Sequence, residues 1–114
     1  MRVLVVGAGR VGAKVVLQLR KNPGIEIITV DPRDRPPAVE QGVIDSVDHR
    51  SELSLSGLKD IISREKVGLV LVTTSAEDIA RTGVPGLDLL VEALQDELEA
   101  TLLVPIIAVS RSIS

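Results

Sequence analysis

The sequence contains no cysteine and no phenylalanine, tryptophan or tyrosine. Without cysteine there is no disulfide, no thiolate metal ligand and no cysteine nucleophile. Without aromatic rings the chain lacks the stacking surfaces that proteins binding single-stranded nucleic acid use. Its hydrophobic residues, 45% of the total, must therefore build a core from valine, leucine, isoleucine and alanine.

Basic residues are also outnumbered, which argues against a nucleic acid partner. The 13 basic and 16 acidic residues give a formal net charge of −3, with no basic stripe to offset it. Binding to duplex phosphates then loses its main driving force. The apolar runs are of strand length, too short for a signal peptide or a bilayer span. We expect a single cytoplasmic domain over residues 1–114.

Side chains for catalysis are equally scarce. His49 is the single histidine, so a multi-histidine metal site is excluded. The lack of tyrosine removes the Tyr-Lys pair of short-chain dehydrogenases, and no nucleophile adjoins the histidine. The sequence therefore predicts neither a catalytic residue nor a metal site.

One motif does point to chemistry: G-x-G-x-x-G directly follows the apolar run 3–6. In a dinucleotide-binding turn the first glycine allows the sharp bend, the second lets a pyrophosphate approach, and the third lets the helix pack closely on the sheet. The phosphates then lie at the positive end of the helix dipole. The predicted pyrophosphate site comprises Gly7, Ala8, Gly9, Arg10, Val11 and Gly12.

A second feature is the acid at the end of the next predicted strand. Asp31 lies 19 residues after Gly12, close to the spacing at which a carboxylate accepts the ribose hydroxyls of NAD. A carboxylate there disfavours the extra phosphate of NADP. Arg33 either holds a 2′-phosphate or belongs to a solvated turn. NAD or NADH is thus predicted ahead of NADP or an adenine nucleotide.

Polar residues after two later strands complete the candidate site. Asp48 either accepts a hydrogen bond from an adenine amino group or is a solvated loop acid. Thr73 and Thr74 either meet the ribose or nicotinamide amide, or cap the following helix.

The order of predicted elements indicates an α/β protein. Strands are predicted at 3–6, 25–30, 42–47, 67–72 and within 102–109. Helices are predicted at 10–22, 38–41, 58–64 with Ser56 as N-cap, a short turn at 76–81, and 87–100. This alternation predicts a doubly wound, Rossmann-like parallel sheet of about five strands in the order 3-2-1-4-5.

The segment V-V-G-A-G-R-V-G, with Val30-Asp31 ending the next strand, resembles the N-terminal nucleotide-binding domain of the TrkA/RCK family. Those domains regulate potassium channels and transporters in response to NAD(H) or adenine nucleotides. The resemblance implies a homodimer with a membrane transporter or channel as partner. Within residues 7–12, the glycine turn, it places Gly7, Gly9, Arg10, Val11 and Gly12 at the pyrophosphate. It also places Asp31 at the ribose, Asp48 after the third strand and Thr73-Thr74 after the fourth.

The sequence is compatible with three hypotheses. The leading one is a non-enzymatic, NAD(H)-binding regulatory domain. The second is the cofactor-binding domain of a small NAD(P)-dependent oxidoreductase. The third is a Rossmann-type assembly module that binds no ligand.

Overall fold

The computed structural model describes residues 1–51, 54–73 and 104–109. Its strands are β1 (Arg2–Val6), β2 (Glu26–Val30), β3 (Leu69–Val72) and β4 (Ile106–Ala108), and its helices are α1 (Arg10–Leu19), α2 (Pro37–Glu40) and α3 (Leu55–Glu65). The four strands form one parallel sheet in the order β2-β1-β3-β4. The predicted doubly wound, Rossmann-like α/β class is therefore confirmed.

The central position of β1 sets the location of the candidate site. In β1, Val3 pairs with Ile27 of β2 on one side and with Leu69 of β3 on the other. The chain thus crosses first to one side of β1 and later to the other. The glycine turn, Asp31 and Thr73 all follow the carboxyl ends of adjacent strands, at the switch point where such sheets bind ligands.

The predicted third strand at 42–47 is wrong. These residues form turns, and Val43, Ile44 and Val47 pack instead against a cluster of buried alanines from the glycine turn, α1 and α2. Their apolar side chains therefore serve one compact contact and do not alternate along an extended strand. The edge position beside β2 is taken by a single parallel bridge between Val30 and His49.

Backbone hydrogen bonds hold that bridge in place. The His49 N–H donates to the Thr29 carbonyl at 3.0 Å, and the Asp31 N–H donates to the His49 carbonyl at 3.2 Å. The outer edge of β2 is thus paired at the predicted place in the strand order, but over a much shorter length than the sequence suggested.

The helix boundaries follow local signals. Helix α1 ends at Leu19, earlier than the predicted residue 22. Asn22 belongs instead to a turn, in which its carbonyl accepts the Ile25 N–H at 3.1 Å. Helix α2 is a single turn, as the proline-rich segment before it predicts. The predicted N-cap at Ser56 is wrong. The N-cap is Ser54, whose hydroxyl oxygen accepts from the Gly57 N–H at 3.2 Å, and α3 begins at the next residue, Leu55.

The sheet buries side chains on both faces. Leu4 and Val6 of β1 belong to a core on the α3 side, which also contains Ile28, Val30, Leu58, Ile61, Ile62, Val67, Val70, Val72, Val104 and Ile106. Because side chains alternate along a strand, Val3 and Val5 face the α1 side, and both are fully buried. This explains why β1 carries no polar alternation.

The last part of the chain is described only in part. The helical turn predicted at 76–81 and the helix predicted at 87–100 lie outside the described residues. The last predicted strand is found as β4, with Pro105 immediately before it; the Pro105 carbonyl accepts the Val70 N–H at 3.0 Å. Within the described ranges, no helix combines the length and apolarity needed to cross a bilayer.

The packing of α3 yields a stability prediction. Leu58 is 1% exposed in the core, so Leu58→Ala should lower the free energy of unfolding by about 2 to 5 kcal/mol through lost burial and a cavity. Leu17 on α1 is 48% exposed, and Leu17→Ala should change it by no more than about 0.5 kcal/mol. Urea denaturation of both variants measures this, and equal effects would contradict the assignment of the core.

Candidate functional site

The glycine turn is fixed by a bend that requires glycine. Gly7 has φ of 95°, a left-handed conformation that residues with a Cβ rarely adopt. Its N–H donates to the Val30 carbonyl at 2.8 Å, so the turn begins while still bonded to β2. The chain can therefore leave β1 sharply and enter α1 within three residues.

Close packing of α1 on this turn requires a second glycine. A Cβ placed on Gly12 would overlap the Gly7 carbonyl oxygen and would lie 3.0 Å from the Thr73 hydroxyl oxygen. The overlap with the Gly7 carbonyl could be relieved only by moving the backbone, since that oxygen is a main-chain atom. Gly12 therefore performs the helix-packing role that the motif assigns to its last glycine.

The amino end of α1 presents uncapped N–H groups. Gly9 is the N-cap residue, and it has no side chain to accept a hydrogen bond from the first turn. The first intrahelical bond shown runs from the Ala13 N–H to the Gly9 carbonyl at 2.9 Å. The preceding N–H groups of α1 have no acceptor within the helix and carry the positive end of its dipole. Arg10, at the first helical position, is exposed beside them.

Both backbone groups of Ala8 join the turn to the segment after β2. Its N–H donates to Oδ2 of Asp31 at 2.8 Å, and its carbonyl accepts the Ala38 N–H at 2.9 Å. Ala8 and Ala38 are both buried. The turn is thus held between the end of β2 and the start of α2.

The carboxylate of Asp31 is buried, with 1% of the residue exposed, and is fully hydrogen-bonded. Oδ1 accepts the backbone N–H and Nε of Arg33, each at 2.9 Å. Oδ2 accepts the Ala8 N–H and, at 2.9 Å, Nη2 of Arg33. A carboxylate offers about four acceptor positions, and all four are used here.

These contacts determine the charge state of Asp31. Burial alone would raise the pKa of this carboxyl, because removal from water disfavours the ionised form. The hydrogen bonds from Arg33 and from the Ala8 N–H, with the positive charge of Arg33, outweigh burial and hold the pKa below its ordinary value of 3.8. Asp31 is therefore an anion at neutral pH and forms a partly buried ion pair with Arg33.

The Thr73 hydroxyl faces the glycine turn. Oγ1 lies 3.0 Å from the Val6 carbonyl and 2.7 Å from the Gly7 carbonyl, and its single proton is donated between them. The residue is 1% exposed, and its backbone N–H also donates to the Val6 carbonyl at 2.9 Å. Thr73 thus fastens the end of β3 to the turn. Thr74 lies outside the described residues.

The Asp48 carboxylate is hydrogen-bonded to Thr29 in strand β2. Its Oδ2 accepts from the backbone N–H of Thr29 at 2.8 Å and from the Thr29 hydroxyl at 3.1 Å. The two residues also line an open cleft of about 360 Å³ on the α1 side, together with Val16, Arg20, Ile27, Ile44, Asp45 and Ser46. A contact between Asp48 and an adenine base stays a prediction.

Two contributors were missed in the sequence. Ala38 fastens α2 to the turn through its backbone, which no side-chain signal reveals. The pairing of Arg33 with Asp31 had a signal, because residues two apart in a turn after a strand can share an Asx-type bond. Among the described residues, no group of three or more histidine, aspartate or glutamate side chains could hold a metal ion.

Comparison with solved structures supports the assignment of the fold. No protein-family model matches the chain. A crystal structure of dTDP-glucose 4,6-dehydratase from Bacillus anthracis in complex with NAD has a TM-score of 0.68 at 19% sequence identity, over 96% of this chain and 37% of that chain. The chain therefore has the Rossmann-like fold, and it spans little more than a third of the dehydratase.

A curated sequence is also similar. The UDP-N-acetylmuramoylalanine–D-glutamate ligase of Vibrio cholerae serotype O1 is 35% identical over 86 residues, which cover 73% of this chain and 19% of the ligase. The similarity thus concerns about a fifth of the ligase. Neither comparison points specifically to the TrkA/RCK family, to potassium transport or to a homodimer.

The role of Thr73 can be tested by removing its hydroxyl. Thr73→Val keeps the shape of the side chain but leaves the buried Gly7 carbonyl without this donor, so the free energy of unfolding should fall by about 1 to 3 kcal/mol. Thr73→Ser retains the hydroxyl and should lose clearly less. Urea denaturation compares the two, and a larger loss in the serine variant would refute the fastening role.

The lowered pKa of Asp31 predicts how stability depends on pH. Since the folded protein binds the proton less readily than the unfolded chain, the ionised carboxylate stabilises the fold above about pH 4, and this contribution is lost as pH falls through the folded-state pKa. The stability advantage of the wild type over Asp31→Asn should therefore be constant near neutrality and shrink below pH 4. Denaturant midpoints between pH 7 and pH 3 measure it.

The exposed Asp45 provides a matched control. Asp45→Asn removes one negative charge at an exposed position outside the Asp31 hydrogen bonds, so it shows how much of the effect comes from the loss of charge alone. An Asp31→Asn difference that grows toward low pH would show that the sign is wrong.

Proposed function

We propose that the glycine turn and the first turn of α1 bind the diphosphate of a nucleotide, with NAD or NADH as the first candidate. The observation that carries this proposal is the uncapped amino end of α1, held directly against a turn in which Gly7 has a left-handed φ and at which Gly12 leaves no room for a Cβ. Backbone N–H groups and the helix dipole favour a negatively charged group at this position.

The charges around this helix end support the same ligand class. Arg10 stands exposed at the first position of α1, where its guanidinium would lie along a phosphate. Asp31 is joined to the turn through the Ala8 N–H, so a ribose acceptor lies next to the phosphate position. Hydrogen-bond donors for a phosphate therefore lie beside a carboxylate that can accept ribose hydroxyls. This combination fits a nucleotide better than a free anion.

The ligands named for the two similar proteins share this chemistry. The dehydratase was crystallised with NAD, and its name specifies a dTDP-linked sugar. The name of the ligase specifies a UDP-linked substrate. Each of these compounds carries a diphosphate attached to a pentose, which is the part of the ligand that the glycine turn and Asp31 would contact.

We further propose that nucleotide binding at this site regulates a partner protein. The resemblance to the TrkA/RCK family and the lack of residue types for hydride chemistry favour a cytoplasmic, homodimeric domain that senses NAD(H) and acts on a channel or transporter. Ligand binding would then shift a conformational equilibrium of the dimer or of its partner. Nucleotide-dependent change in oligomeric state, measured by analytical ultracentrifugation, tests this part separately.

A second candidate is a domain for UDP-linked ligands. The 35% identity to the ligase over 86 residues favours it. A third, the cofactor-binding domain of an NAD(P)-dependent oxidoreductase, is favoured by the fold shared with the NAD-bound dehydratase. Both keep the same diphosphate site and differ in the group attached to it.

Isothermal titration of the purified chain with NADH, NADPH, ADP and UDP-N-acetylglucosamine tests the proposal. We expect binding that Arg10→Glu weakens at least about tenfold, because reversing a charge beside a diphosphate removes attraction and adds repulsion. Lys21→Glu makes a charge reversal at an exposed residue just beyond the opposite end of α1, where no phosphate is expected, and should alter affinity much less.

The outcomes separate the candidates. Binding of none of these ligands at millimolar concentration would refute the diphosphate site and favour an assembly module. Preference for the UDP-sugar would favour the second candidate over NAD(H). NADH oxidation that depends on an added substrate would establish an enzyme and overturn the regulatory reading.

A further inference from the structure

The guanidinium of Arg33 forms a bidentate pair of hydrogen bonds with the Asp31 carboxylate. Nε reaches Oδ1 and Nη2 reaches Oδ2, both at 2.9 Å. The second acceptor position of each oxygen is taken by a backbone N–H, from Arg33 on Oδ1 and from Ala8 on Oδ2. Each carboxylate oxygen therefore has one backbone partner and one side-chain partner.

A ribose offers the same pattern of donors as this guanidinium. Its two adjacent hydroxyls present two O–H groups side by side, and an acid at the end of the second strand accepts them in dinucleotide-binding sheets. The backbone partners of Asp31 are part of the fold and stay in place. The positions that a ribose would need are the two that Arg33 occupies.

We propose that Arg33 is a specificity-determining residue that competes with a ribose diol for Asp31, so that a nucleotide binds this acid only after the guanidinium has left it. The inference rests on the proposed nucleotide site and concerns which part of the ligand that site accepts. Affinity for the diol is reduced by the free energy needed to break the ion pair, whereas contacts to the diphosphate carry no such cost.

The structure allows this exchange without unfolding. The Arg33 side chain is 25% exposed, so its guanidinium can rotate toward solvent. Pro32 and Pro36 flank the turn and restrict its backbone, which keeps the Arg33 N–H on Oδ1 while the side chain moves. Asp31 then retains two backbone donors, and its two outward acceptor positions become available.

The test compares Arg33→Ala with wild type on two ligands, ADP and 2′,3′-dideoxy-ADP. Removing the competitor should tighten ADP binding about tenfold, the size expected when charge-assisted hydrogen bonds no longer have to be broken. The dideoxy ligand has no diol and should show no gain, or a slight loss from the missing positive charge. NAD, which carries the same diol, should behave like ADP.

Arg35→Ala is the matched control. It removes the same charge from the same turn, at an exposed residue outside the Asp31 hydrogen bonds. It should produce no gain with either ligand. Arg33→Lys keeps the charge but replaces the two-pronged donor with a single ammonium, so it should give part of the ADP gain and provides the test if the alanine variant does not fold.

The results distinguish this inference from the proposed function. Equal ADP affinity in wild type and both Arg33 variants would overturn the competition while leaving the nucleotide site intact. A gain of the same size for the dideoxy ligand would also overturn it, since the effect would not involve the diol. Failure of every variant and the wild type to bind either ligand would refute the nucleotide site, and the inference with it.

Discussion

The hydrogen bond from the Ala8 N–H to the buried carboxylate of Asp31 is the interaction on which the candidate site depends. It joins the turn after β1 to the end of β2, two segments 23 residues apart in the chain. Because the carboxylate is ionised and removed from water, losing any of its donors would leave a buried charge poorly compensated. The surrounding backbone is therefore constrained to keep Asp31 satisfied.

Further contacts hold the same region from other directions. Thr73 fastens the end of β3 to the turn, and Ala38 fastens the start of α2 to it. Gly12 brings α1 so close that the helix end and the turn form one surface. Four elements thus converge on Gly7 and Ala8, and the uncapped N–H groups of α1 are presented from a rigid base. Such preorganisation is what an anion site needs, since little ordering remains to be done on binding.

The sequence predicted the parts of this site that depend on local patterns. The glycine spacing, the apolar run before it and Asp31 at its distance were sufficient to predict β1, α1 and β2, and the alternation of predicted strands and helices was sufficient to predict how the sheet is ordered around β1. The third strand could not be predicted correctly, because Val43 and Ile44 have strand-like propensity and yet pack on a cluster of buried alanines, two of which, Ala8 and Ala13, lie much earlier in the chain. Tertiary contact overrode propensity there, as it commonly does in short apolar segments.

Side-chain roles were harder to predict than side-chain positions. Thr73 lies at the switch point as expected. Whether its hydroxyl faces a ligand or a carbonyl, however, depends on small differences in the positions of neighbouring backbone atoms. Likewise, Arg33 was recognised as a neighbour of the site, while its ion pair with Asp31 depends on the turn that the flanking prolines impose. These are properties of assembled geometry, and residue types alone do not encode them.

The alternation of β1 between two cores also affects how such a chain can change in length during evolution. Inserting one residue within β1 would turn the side chains on one side of the insertion to the opposite face of the sheet, and would change the spacing between the start of β1 and the glycine turn. The segment 42–47 is different, because it forms turns and has no strand register to lose; the chain is next held to β2 at Asp48 and His49. Insertions and deletions in related chains should therefore accumulate between α2 and Asp48, while the spacing from β1 to Asp31 stays constant.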